Sequence, residues 1–281
     1  MTVYVFPGQG SQKLQMGKEL FDEFPELLAQ ADKILGYSLR TLCELDPLQQ
    51  LNNTKFTQPA LYVVNALSYF KKINDGKQKP SYFVGHSLGE YNALLAAGVF
   101  DFETGLRLVQ ERARLMSQAQ CGKMAAVLGL DSDKVLSVLK DNRLDLTIAN
   151  YNSYTQQVIS GSAELIDQAS QLFKSAGAKL YLPLKVSGAF HSAFMDDAQI
   201  QFATFLNQFK FSQPHTPVIS NRYAQIYPVD NINLVLAEQI NHSVYWLQSI
   251  QYLLDKGENI FEEIGPGQVL TGLICKIQQG S

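Results

Sequence analysis

The chain has 281 residues, of which 46% are hydrophobic, and its 23 Lys and Arg nearly balance its 26 Asp and Glu, for a net charge of −3. This length suffices for one large domain or two modest ones with a sizeable core. The balanced charge argues against a surface built to bind nucleic acid, and no apolar run approaches the roughly 20 residues that cross a bilayer. The first basic residue is Lys13, so no secretory signal is expected.

The cysteines indicate the compartment. Cys43, Cys121 and Cys275 are scattered and lack the spacing of metal ligands. Three such residues predict buried, reduced thiols in a cytoplasmic protein without a bound metal.

The first part of the chain reads as alternating strands and helices. A strand at 3–6 is followed by a glycine-rich turn at 7–12, and helices are predicted at 17–35 and 59–70. After a surface loop at 74–80 come a strand at 81–84 and a helix at 88–97. A strand, a tight turn and a helix in this order are typical of a parallel α/β sheet.

The middle of the chain has a different order. A strand at 124–130 precedes a helix at 131–140, for which Asp131 and Ser132 are candidate caps. Strands at 146–149 and 157–160 flank a polar segment, and a helix at 163–176 and a strand at 179–186 follow. The order β-α-β-β-α-β is the ferredoxin-like pattern. It predicts a small domain at 122–187 that is inserted into a large domain formed by 1–121 and 188–281.

The last part returns to α/β elements. Helices are predicted at 195–209, 232–240 and 244–256, and short strands at 218–220 and 260–264. A turn at 265–267 (GPG) leads into a closing helix. The large domain is therefore expected to draw its sheet from both ends of the chain.

Residues 85–89 (GHSLG) match G-x-S-x-G between an apolar strand and a helix. In a nucleophile elbow the two glycines allow strand and helix to approach closely, and the serine is exposed on a strained turn. The helix N-terminus then supplies backbone N–H groups near a developing oxyanion. The alternative is a plain turn with a capping serine. The elbow predicts a large α/β-hydrolase-like domain with a parallel sheet, beside the small ferredoxin-like one.

A nucleophilic Ser87 needs a base, and the chain has four histidines. His86 adjoins the serine and is expected to point away, His215 lies in a proline-flanked loop, and His242 suits a solvated or capping role. His191 lies where the chain leaves the predicted small domain, and clefts form at such junctions. It is the favoured base. Its orienting partner is either an acid between serine and histidine or a main-chain carbonyl.

The helix predicted at 101–118 carries an arginine in an unusual place. Its apolar residues recur at intervals of three and four, which marks one buried face. Arg107 and Arg114 fall far from that face, whereas Arg112 falls on its flank, about 80° from the centre. Arg112 either extends its stem along the core toward water or an internal partner, or it holds a substrate carboxylate.

At this point the sequence resembles the malonyl-CoA:acyl-carrier-protein transacylases over nearly its whole length. Six short motifs carry the resemblance, at 7–12 (PGQGSQ), 85–91 (GHSLGEY), 97–102 (AGVFDF), 110–112 (QER), 188–192 (GAFHS) and 265–273 (GPGQVLTGL). The stretches 57–66 and 102–105 look most like free-standing acyltransferases that serve polyketide synthases in trans.

The resemblance implies a catalytic set. Ser87 matches the acylated nucleophile and His191 its base. Gln9 and Leu88 match the residues whose backbone N–H groups form the oxyanion hole. Gln239 matches the position whose main-chain carbonyl orients the histidine.

It also implies how the substrate is selected. Arg112, 25 positions after the serine, matches the arginine that grips the malonyl carboxylate. Phe190 matches a bulky residue that crowds an α-methyl substituent, and Asn221 matches an asparagine near the site. The implied reaction transfers a malonyl group from malonyl-CoA to the phosphopantetheine thiol of an acyl carrier protein, for polyketide or fatty acid synthesis. That chemistry needs no cofactor or metal. Nothing in the sequence suggests an obligate interface between copies, so a monomer is expected.

Two other functions compete with this expectation. One is an acyl hydrolase that clears acyl groups from carrier proteins, and Arg112 argues against it because such relatives often lack the arginine. The other is a non-enzymatic module that docks carrier proteins, and the presence of Ser87, His191 and Arg112 argues against that.

Overall fold

Two sheets organise the computed structural model, which describes residues 1–76, 79–119, 122–228 and 230–280. The strands of the described residues are β1 (Thr2–Phe6), β2 (Tyr82–Gly85), β3 (Lys123–Leu128), β4 (Leu146–Ser153), β5 (Gln156–Gly161), β6 (Leu180–Pro183), β7 (Val218–Ile219) and β8 (Ile260–Glu263). Their helices are α1 (Lys18–Glu23), α2 (Pro25–Leu35), α3 (Leu39–Glu44), α4 (Thr54–Asn74), α5 (Gly89–Ala96), α6 (Phe102–Gln118), α7 (Ser132–Asp141), α8 (Ala163–Ser175), α9 (Asp196–Leu206), α10 (Ile232–Glu238), α11 (Trp246–Asp255) and α12 (Val269–Gln278).

The first sheet is parallel and has the strand order β7-β2-β1-β8. Successive side chains of β1 point to opposite faces. Val3 and Val5 pack with α11 and α12, and Tyr4 and Phe6 join the core formed with α4 and α5. Helices therefore cover both faces, which confirms the predicted α/β class with a parallel sheet drawn from both ends of the chain.

The second sheet is antiparallel, with the order β4-β5-β3-β6. On β3, Ala125 and Val127 face a core closed by α7 and α8, whereas Met124 and Ala126 face the main core. The predicted order of strands and helices is confirmed in this segment, and Asp131 caps α7 by accepting a hydrogen bond from the backbone N–H of Lys134 at 2.7 Å.

Two predicted helices that contain a proline have bounds that differ from the prediction. The helix predicted at 17–35 is two helices, because Pro25 begins α2 directly after α1 ends. The helix predicted to start at Pro59 instead starts at Thr54, with Asn53 as its cap and Pro59 inside it. Pro25 suits the first position of α2, where an N–H would have no intrahelical acceptor, whereas Pro59 is the sixth residue of α4 and costs that helix one backbone hydrogen bond. The short α3 was not predicted.

The polar segment at 150–153, which the prediction placed between two strands, is the second half of β4. Its pairing with β5 is interrupted by register shifts after Ile148 and after Tyr151. Bulges of this kind re-aim side chains and are common beside active sites. Here Asn152 Oδ1 accepts a 2.8 Å hydrogen bond from His86 Nε2, and Asn150 lines the cleft that contains Ser87.

Cys43 and Cys275 are both free thiols. Cys43 is buried as predicted, whereas Cys275 is exposed. Cys121 lies outside the described residues. None of the helices in the described ranges combines the length and apolar character that a membrane crossing needs.

Candidate active site

Ser87 lies on the sharp turn between β2 and α5, where sequence predicted an elbow. Its φ of 50° is in the left-handed region, which costs a non-glycine residue of order 1–3 kcal/mol. A Cβ on Gly85 would lie 1.9 Å from the backbone of Gly89, and one on Gly89 would lie 2.0 Å from the carbonyl oxygen of Phe6. The two glycines are therefore required for strand and helix to approach closely enough to project Ser87.

The glycine-rich loop after β1 packs against this turn. A Cβ on Gly8 would lie 2.3 Å from the carbonyl oxygen of His86, so only glycine permits the contact. The contact brings Gln9 beside Leu88 at the wall of the cleft. Within the described part of the chain neither backbone N–H of these two residues has an acceptor. Two free donors beside a serine are the arrangement that can stabilise an oxyanion.

His191 is the base that the structure brings to Ser87. Its Nε2 lies 2.8 Å from Ser87 Oγ, and its Nδ1 lies 2.9 Å and 3.0 Å from the carbonyl oxygens of Gln239 and His242. Carbonyl oxygens only accept, so Nδ1 carries the ring proton and Nε2 is free to accept one. Burial, followed by the positive charge of Arg112, lowers the pKa of His191 to about 3. The ring is therefore neutral at pH 7.

The other histidines lie apart from this contact. His215 is exposed and bonds the neighbouring Thr216, and the His242 ring bonds the carbonyl oxygen of Glu238. His86 packs against Trp246 at the side of the cleft, and burial lowers its pKa. None of their rings is hydrogen-bonded to Ser87 in the described residues.

Arg112 is completely buried, and its guanidinium reaches the serine. Nη2 lies 3.2 Å from Ser87 Oγ and 2.9 Å from Gln239 Oε1, and Nη1 lies 2.7 Å from Gln58 Oε1. Tyr91 lies under it, with the guanidinium carbon 5.5 Å from the ring centroid. Burial lowers the pKa of Arg112, opposed by Tyr91 and Glu90, but a guanidinium stays charged in proteins. A buried cation held by neutral amides favours an anionic ligand.

Asn221, at the end of β7, connects to the elbow through its side chain. Its Oδ1 accepts the backbone N–H of Ser87, and its Nδ2 donates to the carbonyl oxygen of Gly85, both at 2.6 Å. Gln239 adds a third tie, because its Nε2 donates to the carbonyl oxygen of Ser87 at 2.8 Å. The turn is thus held from two neighbouring elements.

These groups open into a narrow cleft of about 90 Å³. Its apolar walls include Met116 on α6, Met124 on β3, and Leu184, Val186 and Phe190 in the segment that follows β6. A larger cavity of about 670 Å³, lined mainly by α2, α4, α6 and α9, contains none of the candidate catalytic residues. The small cleft is the candidate site because the serine, the imidazole and the guanidinium converge there.

Four contributions were not anticipated from sequence. Gln58 accepts from Arg112, and the carbonyl oxygen of His242 accepts from His191. Glu90 and Tyr227 meet beneath the elbow. Glu90 and Gln58 lie in stretches that carry the resemblance, at 85–91 and 57–66, but no role was assigned to either; His242 and Tyr227 are brought to the site by the fold.

Comparison with known proteins identifies the family. The family model of the acyl transferase domain matches residues 3–274, which is nearly the whole chain. The chain belongs to the acyl transferase domain family. It is 57% identical over 281 residues to the polyketide biosynthesis malonyl CoA-acyl carrier protein transacylase PksC of Bacillus subtilis strain 168, with 99% of this chain and 98% of that protein covered.

Solved acyltransferase structures have the same fold. A malonyl CoA-acyl carrier protein transacylase from Burkholderia pseudomallei superposes with a TM-score of 0.97 at 50% identity, covering 100% of this chain and 99% of its own. A malonyl-transacylase in complex with its type II polyketide-synthase acyl-carrier protein gives 0.94 at 37% identity, with 99% and 93% covered.

Proposed function

We propose that this acyl transferase moves a malonyl group from malonyl-CoA to the phosphopantetheine thiol of an acyl carrier protein, through a malonyl ester of Ser87, in polyketide or fatty acid biosynthesis. One observation carries the proposal: Arg112 Nη2 lies 3.2 Å from Ser87 Oγ. A buried cation beside the nucleophile suits an acyl group that ends in a carboxylate. The similarity to proteins named malonyl CoA-acyl carrier protein transacylases supports the same substrate.

In the first half-reaction, His191 Nε2 takes the proton of Ser87 Oγ as that oxygen attacks the thioester carbonyl. The Nδ1–H bonds to Gln239 and His242 stabilise the imidazolium that forms. The backbone N–H groups of Gln9 and Leu88 receive the oxyanion, and donors in such positions typically contribute about 2.7–4 kcal/mol each. The C–S bond breaks, the CoA sulfur takes the proton from His191, and the malonyl ester remains on Ser87.

Arg112 connects substrate choice with base strength. In the free enzyme its charge helps to lower the pKa of His191. A malonyl carboxylate paired with the guanidinium offsets that charge, so the imidazole becomes a stronger base when the correct acyl group is present. An acetyl group supplies no such charge. The same cation therefore binds malonyl and favours its reaction.

In the second half-reaction, the phosphopantetheine thiol attacks the ester carbonyl. His191 accepts the thiol proton and returns a proton to Ser87 Oγ as the ester C–O bond breaks. Water competes with the thiol, and the apolar walls formed by Met116, Met124 and Phe190 leave it few partners. Phe190 also crowds an α-substituent on the acyl group.

The proposal includes an organisation of the chain. A large α/β-hydrolase-like domain consists of 1–121 and 188–281, and a ferredoxin-like domain consists of 122–187. The strand order β4-β5-β3-β6 and the two helices on one face of that sheet support the second domain. The two described cysteines are free, which suits a cytoplasmic enzyme; we expect it to act as a monomer that meets no nucleic acid.

A loading assay tests the function. Malonyl-, methylmalonyl- and acetyl-CoA are each incubated with the enzyme and a phosphopantetheinylated carrier protein, and intact masses are recorded. Malonyl-carrier protein should be the dominant product with malonyl-CoA. Free malonate with an unmodified carrier protein would instead identify an acyl hydrolase, which the buried Arg112 and the relatives do not favour.

A further inference from the structure

A fully buried carboxyl group lies beneath the nucleophile elbow without touching the cleft. Glu90 stands three residues after Ser87, in the first turn of α5. Its Oε2 accepts the backbone N–H of Asn221 at 2.6 Å, and its Oε1 accepts the hydroxyl of Tyr227. The carboxyl group therefore joins α5 to the segment that follows β7.

Asn221 transmits this connection to the nucleophile. Its backbone N–H is held by Glu90, its carbonyl oxygen accepts the backbone N–H of Tyr245 at 2.9 Å, and its side chain bonds the backbone of Gly85 and Ser87. Every polar group of Asn221 is thus engaged. A shift of its backbone would move the amide that holds the turn at Ser87, whose φ is 50°.

We propose that Glu90 and Tyr227 are positioning residues for acyl transfer: they fix Asn221 against the elbow and so hold Ser87 Oγ within hydrogen-bond distance of His191. This inference rests on the proposed role of Ser87 as the acylated nucleophile. Neither residue touches the substrate cleft, and both act through Asn221. Small displacements of reacting groups, on the order of 1 Å, can cost about a hundredfold in rate.

The surroundings of Glu90 indicate that this residue is present for its hydrogen bonds and not merely to fill space in the core. Burial raises the pKa of Glu90 to about 7, against the opposing effects of Tyr227, the Asn221 backbone, Gln239 and Arg112. A buried carboxyl group is costly unless its oxygens are paired. Both oxygens are paired here, and both bonds lead to the segment that carries Asn221.

Three variants and a matched control test the proposal. Tyr227→Phe removes only the hydroxyl. Glu90→Gln keeps a carbonyl oxygen for Asn221, and Glu90→Leu removes both acceptors. Tyr181→Phe is the control, because Tyr181 is also a buried tyrosine whose hydroxyl donates to another element, the carbonyl oxygen of Ile166, on the side of β3 and β6 away from the cleft.

The measured quantities are kcat and KM for malonyl transfer, the thermal midpoint, and the rate of Ser87 labelling by a small fluorophosphonate that needs no malonyl group. Tyr227→Phe should lower kcat and the labelling rate about tenfold, while KM stays within about twofold of wild type. Glu90→Leu should lower kcat and the labelling rate about a hundredfold. Glu90→Gln should recover at least about tenfold of the Glu90→Leu loss. Tyr181→Phe should leave kcat within about twofold at a similar loss of thermal midpoint.

Equal kcat values for Tyr227→Phe and Tyr181→Phe would overturn the proposal, and so would a Glu90→Gln variant as slow as Glu90→Leu. If Glu90→Leu does not fold, Tyr227→Phe against Tyr181→Phe decides alone. An enzyme that reacts with the fluorophosphonate but not with malonyl-CoA would refute the proposed function. The labelling rates of the same variants would still test the positioning of Ser87.

Discussion

The two sheets contribute to the cleft in different ways. The parallel sheet and its helices supply the reactive groups: Ser87 follows β2, His191 precedes α9, and Arg112 lies on α6. The antiparallel sheet and the segment after β6 supply walls, chiefly Met124 and Leu184. The reactive groups therefore lie in one part of the molecule, and much of the wall that an acyl group would contact lies in the other.

Topology explains the division. Parallel strands place their carboxyl ends at one edge, and ligands of such sheets bind there. Gln9 follows β1, Ser87 follows β2 and Asn221 follows β7 at that edge. An antiparallel sheet has no comparable edge, and β3 presents alternate residues to its own helices and to the cleft. Variants in the antiparallel sheet should therefore change mainly the choice of acyl group, whereas variants of the reactive groups should change the rate, and Arg112 should change both.

Removing the base should have the largest effect on rate. His191→Ala leaves Ser87 Oγ without its acceptor, and general-base catalysis typically contributes about 10²–10⁴-fold. We expect kcat for malonyl transfer to fall by about 10²–10⁴-fold. The thermal midpoint should also fall, because the carbonyl oxygens of Gln239 and His242 lose their donor. Stopped-flow or quenched-flow acylation measures the step directly. A loss below about tenfold would show that another group activates Ser87.

Removing the guanidinium of Arg112 should have the next largest effect on rate, and the size of that effect should depend on the substrate. Charged hydrogen bonds contribute about 1.5–3 kcal/mol each, so Arg112→Ala should lower malonyl loading about tenfold to a few hundredfold. Acetyl loading should fall far less, because it makes no use of the guanidinium. Competition between malonyl-CoA and acetyl-CoA, read by intact mass, gives the ratio. An equal loss for both substrates would remove Arg112 from substrate selection.

A wall residue should change selectivity more than rate. Met124→Ala shortens a side chain that enters the cleft from β3, so methylmalonyl loading relative to malonyl should rise at least about threefold, with malonyl kcat within about fivefold. Val127→Ala is the matched control, since Val127 is on the other face of β3 in the core with α7 and α8. The same change in selectivity from Val127→Ala would assign the effect to loosening of the sheet.

The last expected effect is on stability and depends on pH. His191 has a folded pKa of about 3, below the ordinary value of about 6.5, so the unfolded chain takes up a proton first as the pH falls. Wild type should therefore lose unfolding free energy relative to His191→Gln by about 1.4 kcal/mol per pH unit below about 6. Urea unfolding of both proteins at pH 7, 6 and 5 measures the difference. A constant difference would show that the folded imidazole titrates normally.

Sequence predicted the parts of the site that depend on local pattern. The elbow at Ser87 follows from glycine spacing between a strand and a helix, and Gly85 and Gly89 have the close contacts that this spacing requires. His191 was favoured only by its place at a domain junction. For Arg112, helical periodicity gave a flank position but not the direction of a long side chain, so burial beside Ser87 became evident only in the structure.

The remaining contributors depend on contacts between distant segments. Gln58 is 54 residues from Arg112, and Tyr227 is 137 residues from Glu90. No local pattern encodes such pairs. The strand prediction omitted the residues around Asn152 for a related reason: polar residues favour turns in general, and here they lie in a strand and serve the cleft through His86.

Measuring the covalent state of Ser87 is the most direct test of the proposed acyl transfer. Purified enzyme mixed with malonyl-CoA in the absence of carrier protein should gain the mass of one malonyl group, located on Ser87 by peptide mapping, and should lose it to an added phosphopantetheinylated carrier protein. Ser87→Ala should gain nothing. A carrier protein that becomes malonylated at the same rate by Ser87→Ala, or an adduct on any other residue, would contradict the account.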